Sequence, residues 1–137
     1  MIALPISNGF YNWRNFQDVN VEFIKTIINQ PYSDIYNMAK EVYWCEDWGE
    51  EPEDEMIYLK EVRKRLKKAP KLVPIYAHRY MPIVLDENPP VISVHNVELI
   101  YYGENLDDYF DIEFGKKEQN TIKLQKITPI SFWSDIM

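Results

Sequence analysis

Pro70-Lys71-Leu72-Val73-Pro74-Ile75-Tyr76-Ala77-His78-Arg79-Tyr80-Met81-Pro82 and, further on, Val91-Ile92-Ser93-Val94-His95-Asn96-Val97-Glu98-Leu99-Ile100-Tyr101-Tyr102-Gly103 are the runs that decide the fold class. Both are rich in β-branched and aromatic residues, the composition that suits a pleated, half-buried surface. Leu72–Tyr76 and Val91–His95 read as strands, each followed by a polar turn. Glu98–Tyr102 follows Val91–His95 after so short a link that an antiparallel hairpin is the simplest connection. His78 and Arg79 fall in the first turn, and His95 and Glu98 flank the second. Strand ends that present such groups are where a small fold keeps its recognition surface.

Working outward, the clearest helix spans about Glu53 to Ala69. Met56, Leu59, Val62, Leu66 and Ala69 recur at helical spacing, and this stripe is expected to cover the sheet. Acids open the helix, and Lys64, Arg65, Lys67 and Lys68 close it, complementing its dipole. Pro70 stops it. Further upstream, Asp18 or Asn20 is expected to cap a helix to about Asn29, with Val21, Ile24 and Ile28 on one face and Phe23 and Ile27 beside it. Pro31 and Ser33 then open a second helix to about Trp44, with Ile35, Met38, Ala39 and Val42 inward. Phe10, Tyr11, Trp13 and Phe16 suit an extended segment over a core edge.

Downstream, Asn105 caps a helix from Leu106 to Phe114, with Leu106, Tyr109 and Phe110 inward, and Gly115 ends it. Ile122, Leu124 and Ile127 alternate as an edge strand would. Phe132 and Trp133 dock the tail back onto the body. Helices first and hairpins afterwards argue for an α+β fold, with residues 1–137 as one domain.

Ten tyrosines within a 15% aromatic content exceed what a core needs and point to a surface that grips a partner. The net charge of −7 disfavours nucleic acid and anionic membrane. It favours a basic protein, drawn in at long range. Cys45 is the only cysteine, which leaves no internal disulfide and no thiolate cluster for zinc. Met1–Pro5 turns polar too soon for a signal peptide, and no apolar run reaches the roughly 20 residues of a membrane helix. The expectation is a reduced, cytoplasmic protein.

Three groups of residues carry candidate chemistry. His78 and His95, with Glu98 or Asp47, have the donor types for zinc or iron, but their spacing matches no ligand pattern. The plainer reading is a pair of hydrogen-bonded surface histidines, with no metal or cofactor. Arg79, at a rigid turn before Met81-Pro82, can fork onto a partner's carboxylate. Its plainer role is a bridge to Asp47 or Glu50. Trp44 and Trp48 flank Glu46 and Asp47, with Glu50 and Glu51 beyond, and aromatic anchors ringed by charge have the make-up of an interface hot spot. The plainer reading makes Trp44 core, Trp48 a loop closure and the acids a solvated rim. The site expectation is one concave surface bordered by Trp48, Asp47, Glu50, His78, Arg79 and Tyr80. No nucleophile elbow, phosphate loop or dinucleotide fingerprint is present. The acids around Cys45 work against a reactive thiolate.

Several motifs together resemble the bacterial branch of the SUKH superfamily, which includes fungal cell-wall synthesis regulators and immunity proteins of polymorphic toxin systems. They are Asn12-Trp13-Arg14, Trp44 with Asp47-Trp48-Gly49, Pro70 to Tyr76 with His78 to Pro82, Ser93-Val94-His95 with Ile100 to Gly103, Asp108-Tyr109-Phe110, and Phe132-Trp133-Ser134-Asp135. Asn96-Val97 and Glu51 depart from the family pattern on the candidate recognition loops. The resemblance implies a central, largely antiparallel sheet with helices packed around it, and neither an enzyme activity nor a cofactor. The expected function is therefore an immunity-type protein that binds a cationic toxin domain, such as a nuclease. The alternatives are a regulatory adaptor in cell-wall or stress pathways and an enzyme or metal-dependent module using His78 and His95.

Overall fold

The computed structural model describes residues 16–137. Phe10, Tyr11, Trp13 and the Asn12-Trp13-Arg14 motif lie outside the described residues. The architecture is α+β. Strands β1 (Leu72–Tyr76), β2 (Arg79–Pro82), β3 (Val91–His95) and β4 (Glu98–Gly103) form one antiparallel meander in chain order. The three expected strands therefore share a sheet. The segment expected as a turn, Arg79–Pro82, is itself a strand. Its side chains alternate half-buried and buried, a period-two pattern four residues long. Its ladder to β3 runs only through Arg79 and Tyr80, so it has ended before Pro82, where a strand tolerates proline.

Two hairpins turn at the same end of the sheet. Tyr76 pairs with Arg79 around Ala77-His78, and His95 pairs with Glu98 around Asn96-Val97. Such short loops require left-handed backbone. Ala77 (φ 46°) and Asn96 (φ 56°) supply it, the asparagine more readily than the alanine.

Helix α1 runs from Asp18 to Asn37 without a break, and Pro31 lies inside it. The expected division at Asn29 is thus absent, and Gln17, not Asp18 or Asn20, takes the N-cap position. Ala39 and Val42 are buried as expected, but in and after a short 3-10 turn (Ala39–Glu41) rather than in a second α-helix. Proline at position 31 has no N–H for the carbonyl of Ile27, four residues back. The Tyr80 hydroxyl donates to that carbonyl instead, at 3.0 Å. Tyr80 is only 2% exposed, so the partner is held in place by the core.

Helix α2 spans Glu55–Lys67 and begins where the Asp54 carboxylate accepts from the amides of Met56 (2.8 Å) and Ile57 (3.3 Å). Val62 and Leu66 are its buried residues. Met56, expected inward, is 71% exposed, and its neighbour Ile57 is exposed as well. By backbone approach, α1 rather than α2 lies nearest β1 and β3, while α2 packs chiefly on α1 and the 39–41 turn. Helix α3 (Leu106–Glu113) is capped by Asn105, and Gly115 (φ 78°) ends it. It sits so close to β4 that a β-carbon on Gly103 would lie 2.7 Å from that of Tyr109. The expected edge strand over Ile122–Ile127 is replaced by two 3-10 turns, Gln119–Thr121 and Leu124–Lys126. The Gln119 amide covers the edge of β4 by donating to the Tyr101 carbonyl at 2.9 Å.

The tail docks back as expected. Ile130, Phe132, Trp133 and Ile136 are buried, and the Trp133 indole donates to the Pro70 carbonyl at 2.9 Å. Among the described residues no helix is long and apolar enough to cross a membrane.

The bond between Tyr80 and Ile27 is expected to couple to Pro31. Tyr80→Phe should cost about 0.5–1.5 kcal/mol by removing the donor to a part-buried carbonyl. In a Pro31→Ala background, where the helix amide is restored, that cost should fall to a few tenths. Urea unfolding of the four proteins measures this, and an equal cost in both backgrounds would refute the link.

Candidate functional site

Because both hairpins turn at one sheet end, His78 and His95 meet there with ring centroids 4.7 Å apart. The His78 carbonyl accepts from the Val94 amide at 2.9 Å, which ties the first turn to β3. Facing them across a cleft of about 320 Å³ are Gln30 and Asp34 of α1, with Ile27, Tyr80 and Val94 as the floor. The Gln30 amide donates to Asp34 Oδ1 at 2.8 Å, fixing that carboxylate. Loss of hydration holds the His78 imidazole below its ordinary value near 6.5. His95 and Arg79 lower it further, and Asp34 opposes them. Two imidazoles and a carboxylate can exchange protons with a ligand. The described residues lining the cleft include no Ser, Thr or Cys. No group of three His, Cys, Asp or Glu side chains among the described residues could hold a metal ion.

The strand alternation of β2 sends Arg79 to the other side of the sheet, towards α3. Its guanidinium lies 3.8 Å from the centroid of the Tyr102 ring, donates to Ser93 Oγ at 3.1 Å and sits 3.5 Å from Glu113. Tyr109 also donates to Glu113, at 3.0 Å. Burial, with Glu113 beside it, raises the Tyr109 hydroxyl well above its usual range. Arg79 thus makes an internal bridge, as its plainer reading holds, but to Glu113 rather than to Asp47 or Glu50. Tyr80 is core and cannot serve as a surface anchor.

The 44–55 loop is built from the inside out. Trp44 Nε1 donates to the Gly49 carbonyl at 2.9 Å, and Gly49 takes φ 97°, which a β-carbon would strain. Trp48 lies edge-on to Trp44 at 5.1 Å, stacks on Phe132 at 6.0 Å and is covered by the Arg65 guanidinium at 5.0 Å. Tyr58 packs on Trp44 and donates to the Val42 carbonyl. Asp47 and Glu50 remain exposed. The expected single concave surface is therefore divided. His78 and His95 border the cleft, Tyr80 lies beneath it, and Glu98 is exposed opposite His95 in the ladder. Arg79 faces away, and Trp48, Asp47 and Glu50 are not among the cleft's described lining residues. Asp34 and Gln30 escape sequence reasoning. Their i,i+4 spacing puts them on one helix face, but nothing local shows which turn that face meets.

Nothing matches the chain in comparisons with protein-family models, curated proteins or solved structures.

Two outcomes are expected. Trp48→Ala should lower stability by about 2–3 kcal/mol in urea unfolding, because it uncovers both Phe132 and Trp44. A change within 0.5 kcal/mol, on the scale of about ±0.5 for inert surface sites, would mean the indole is no brace. The second concerns acid. His78 takes up its proton at lower pH in the folded state than in the unfolded chain. Stability should therefore decline as pH falls through about 6.5 and level off below the folded value. His78→Gln should remove that step, as unfolding midpoints between about pH 7.5 and 5 will show. Parallel pH profiles for the two proteins would contradict it.

Proposed function

We propose that this chain is a non-enzymatic protein-binding module of the immunity type, which neutralises a cationic toxin domain by covering it. One observation carries the reading. Seven of the ten residues from 46 to 55 are acidic, none is basic, and all seven are exposed. Taking these seven from the chain's 22 acids leaves 15, matching its 15 lysines and arginines. The chain's acidic excess is thus equalled by this one stretch, which runs from the loop into the first residue of α2, where Glu55 pairs with Lys40. Trp44, Trp48, Tyr58 and Phe132 hold that loop from within, so its carboxylates are presented on a rigid frame. Such a surface steers a basic partner and suits inhibition by occlusion, which needs no catalytic set. The resemblance to the SUKH superfamily supports the same reading, and its regulatory branch would use the same surface. A small β1 to β4 meander braced by helices gives such a module stiff edges.

A second reading, an enzyme that uses His78 and His95 for proton transfer, is favoured by their approach beside Asp34. A pH-dependent transfer or hydrolytic activity lost in His95→Ala would support it.

The test of the first reading is co-expression with the polypeptide encoded directly upstream. Growth arrest by that polypeptide should be relieved by this chain. In purified form the association rate should fall about 10-fold or more between low and physiological salt. Glu50→Lys with Glu51→Lys should slow association by a similar factor while leaving the unfolding midpoint nearly unchanged. Unrelieved arrest, or association indifferent to both salt and charge reversal, would remove the proposal.

A further inference from the structure

A groove of about 460 Å³ opens on the α3 side of the sheet, at the end remote from the histidines. That volume falls within the roughly 300–1,000 Å³ of ligand pockets. Val73, Met81, Ile83, Val84 and Leu106 give it apolar walls. The connection from β2 to β3 borders it and exposes its apolar residues: Ile83 is 62% exposed and Leu85 is fully so. Ile83, Val84 and Leu85 thus form a short exposed apolar run beside the groove.

The charges around this groove are of one sign. Asp86, Glu87 and Asp107 line it, and no lysine or arginine does among the described residues. None of the three carboxylates has an ion-pair partner among the described residues. Asp86 accepts the Asn88 amide at 2.9 Å, which fixes its side of the loop. Apolar walls with an unpaired acidic rim complement a side chain that has an aliphatic stem and a cationic head. Lysine and arginine are such side chains, since they lay their methylenes on apolar surface and keep the charge at its edge. An anionic lipid surface or a nucleic acid would meet only like charge here.

We propose that this groove binds a lysine- or arginine-bearing segment of a partner protein, its aliphatic stem lying on Val73, Met81 and Leu106 and its cation at Glu87 and Asp107. The segment's flanking apolar residue packs on Ile83 and Leu85. The groove is distinct from the 46–55 loop. The proposal shares with the immunity reading only the basic character of the partner.

The experiment uses a labelled nonapeptide of alternating lysine and leucine, and two controls in which glutamine replaces lysine or serine replaces leucine. Binding is read by fluorescence anisotropy and mapped by amide chemical-shift changes on the whole chain. The lysine–leucine peptide should perturb 81–89 and 106–107 and bind at least about tenfold tighter than either control, a ratio of 1.4 kcal/mol. Glu87→Gln with Asp107→Asn should weaken it about tenfold, and Leu85→Ser several-fold. The exposed pair Glu22→Gln with Glu41→Gln, which changes the charge equally, should leave it unaltered. The proposal is overturned if the shifts map to 46–55 alone, if both charge-neutral pairs act alike, or if sedimentation shows that the groove closes on a second copy of this chain. Because the probe is synthetic, failure here leaves the toxin co-expression result untouched, and the converse also holds.

Discussion

The carbonyl of Ile27 is the point on which the arrangement depends. A proline in a helix interior costs about 3 kcal/mol, chiefly through a lost amide and a clash with the preceding turn. Part of that cost is the carbonyl left without its amide, which another donor can recover. Here α1 continues through Pro31 because a tyrosine hydroxyl arrives from β2, 53 residues along the chain. The bond is local in space and remote in sequence. It also fixes geometry. With Tyr80 pinned to α1, the register of β2 brings Ala77-His78 beneath the next helical turns, where Gln30 and Asp34 stand. The histidine cleft is therefore a consequence of how the helix is repaired.

Fixing Tyr80 on one face sends Arg79 to the other, since neighbouring side chains on a strand point to opposite sides. There it lies against Tyr102 and bridges to Glu113, both mostly shielded from water. Removing either charge would leave the other without its partner in a partly dehydrated site, which is why such pairs are destructive to break even where they add little net stability. The close approach of α3 to β4 at Gly103 gives the same face its tightness, because no larger residue fits between the strand and Tyr109. Two adjacent residues thus serve two separate layers. A reading that groups His78, Arg79 and Tyr80 as one recognition triplet follows chain proximity where strand geometry divides them.

What the sequence made legible was whatever local chemistry controls. Asn105 and Gly115 bracket α3, an apolar stripe between acidic and basic ends marks α2, and β-branched and aromatic runs mark β1, β3 and β4. Their signals lie within a few residues of their effects. What was not legible depended on distant partners. Pro31 carries a strong local stop signal, and only the Tyr80 hydroxyl overrides it. Arg79–Pro82 is too short for alternation to separate strand from turn. Ile122 and Leu124 share a strand period that Ile127 breaks, and β4 has its edge covered by the Gln119 side chain rather than by another strand. The candidate site divides in the same way. The histidines and the acidic loop were visible by residue type, whereas Asp34 and Gln30 enter only through helix placement. The inward role of Trp48 depends on Phe132, 84 positions later in the chain.

That last contact bears on what the acidic loop is for. Seven carboxylates fall within ten residues; of these, Asp54 caps α2 and Glu55 pairs with Lys40 at 3.4 Å. Left to itself such a stretch would extend and stay disordered. Here it is opposed by an indole hydrogen bond, an edge-on tryptophan pair, a stack on the C-terminal Phe132 and an arginine over the outer ring. Aromatic pairs contribute about 0.5–1.5 kcal/mol each beyond their buried area. Phe132 is held at φ 68°, a left-handed conformation that only a well-determined surrounding keeps for an aromatic residue. Aromatic packing and a left-handed backbone at Phe132 thus hold an acid-rich loop in one conformation. On the binding reading proposed above, such a pre-ordered anionic loop would lose little entropy on meeting a basic surface.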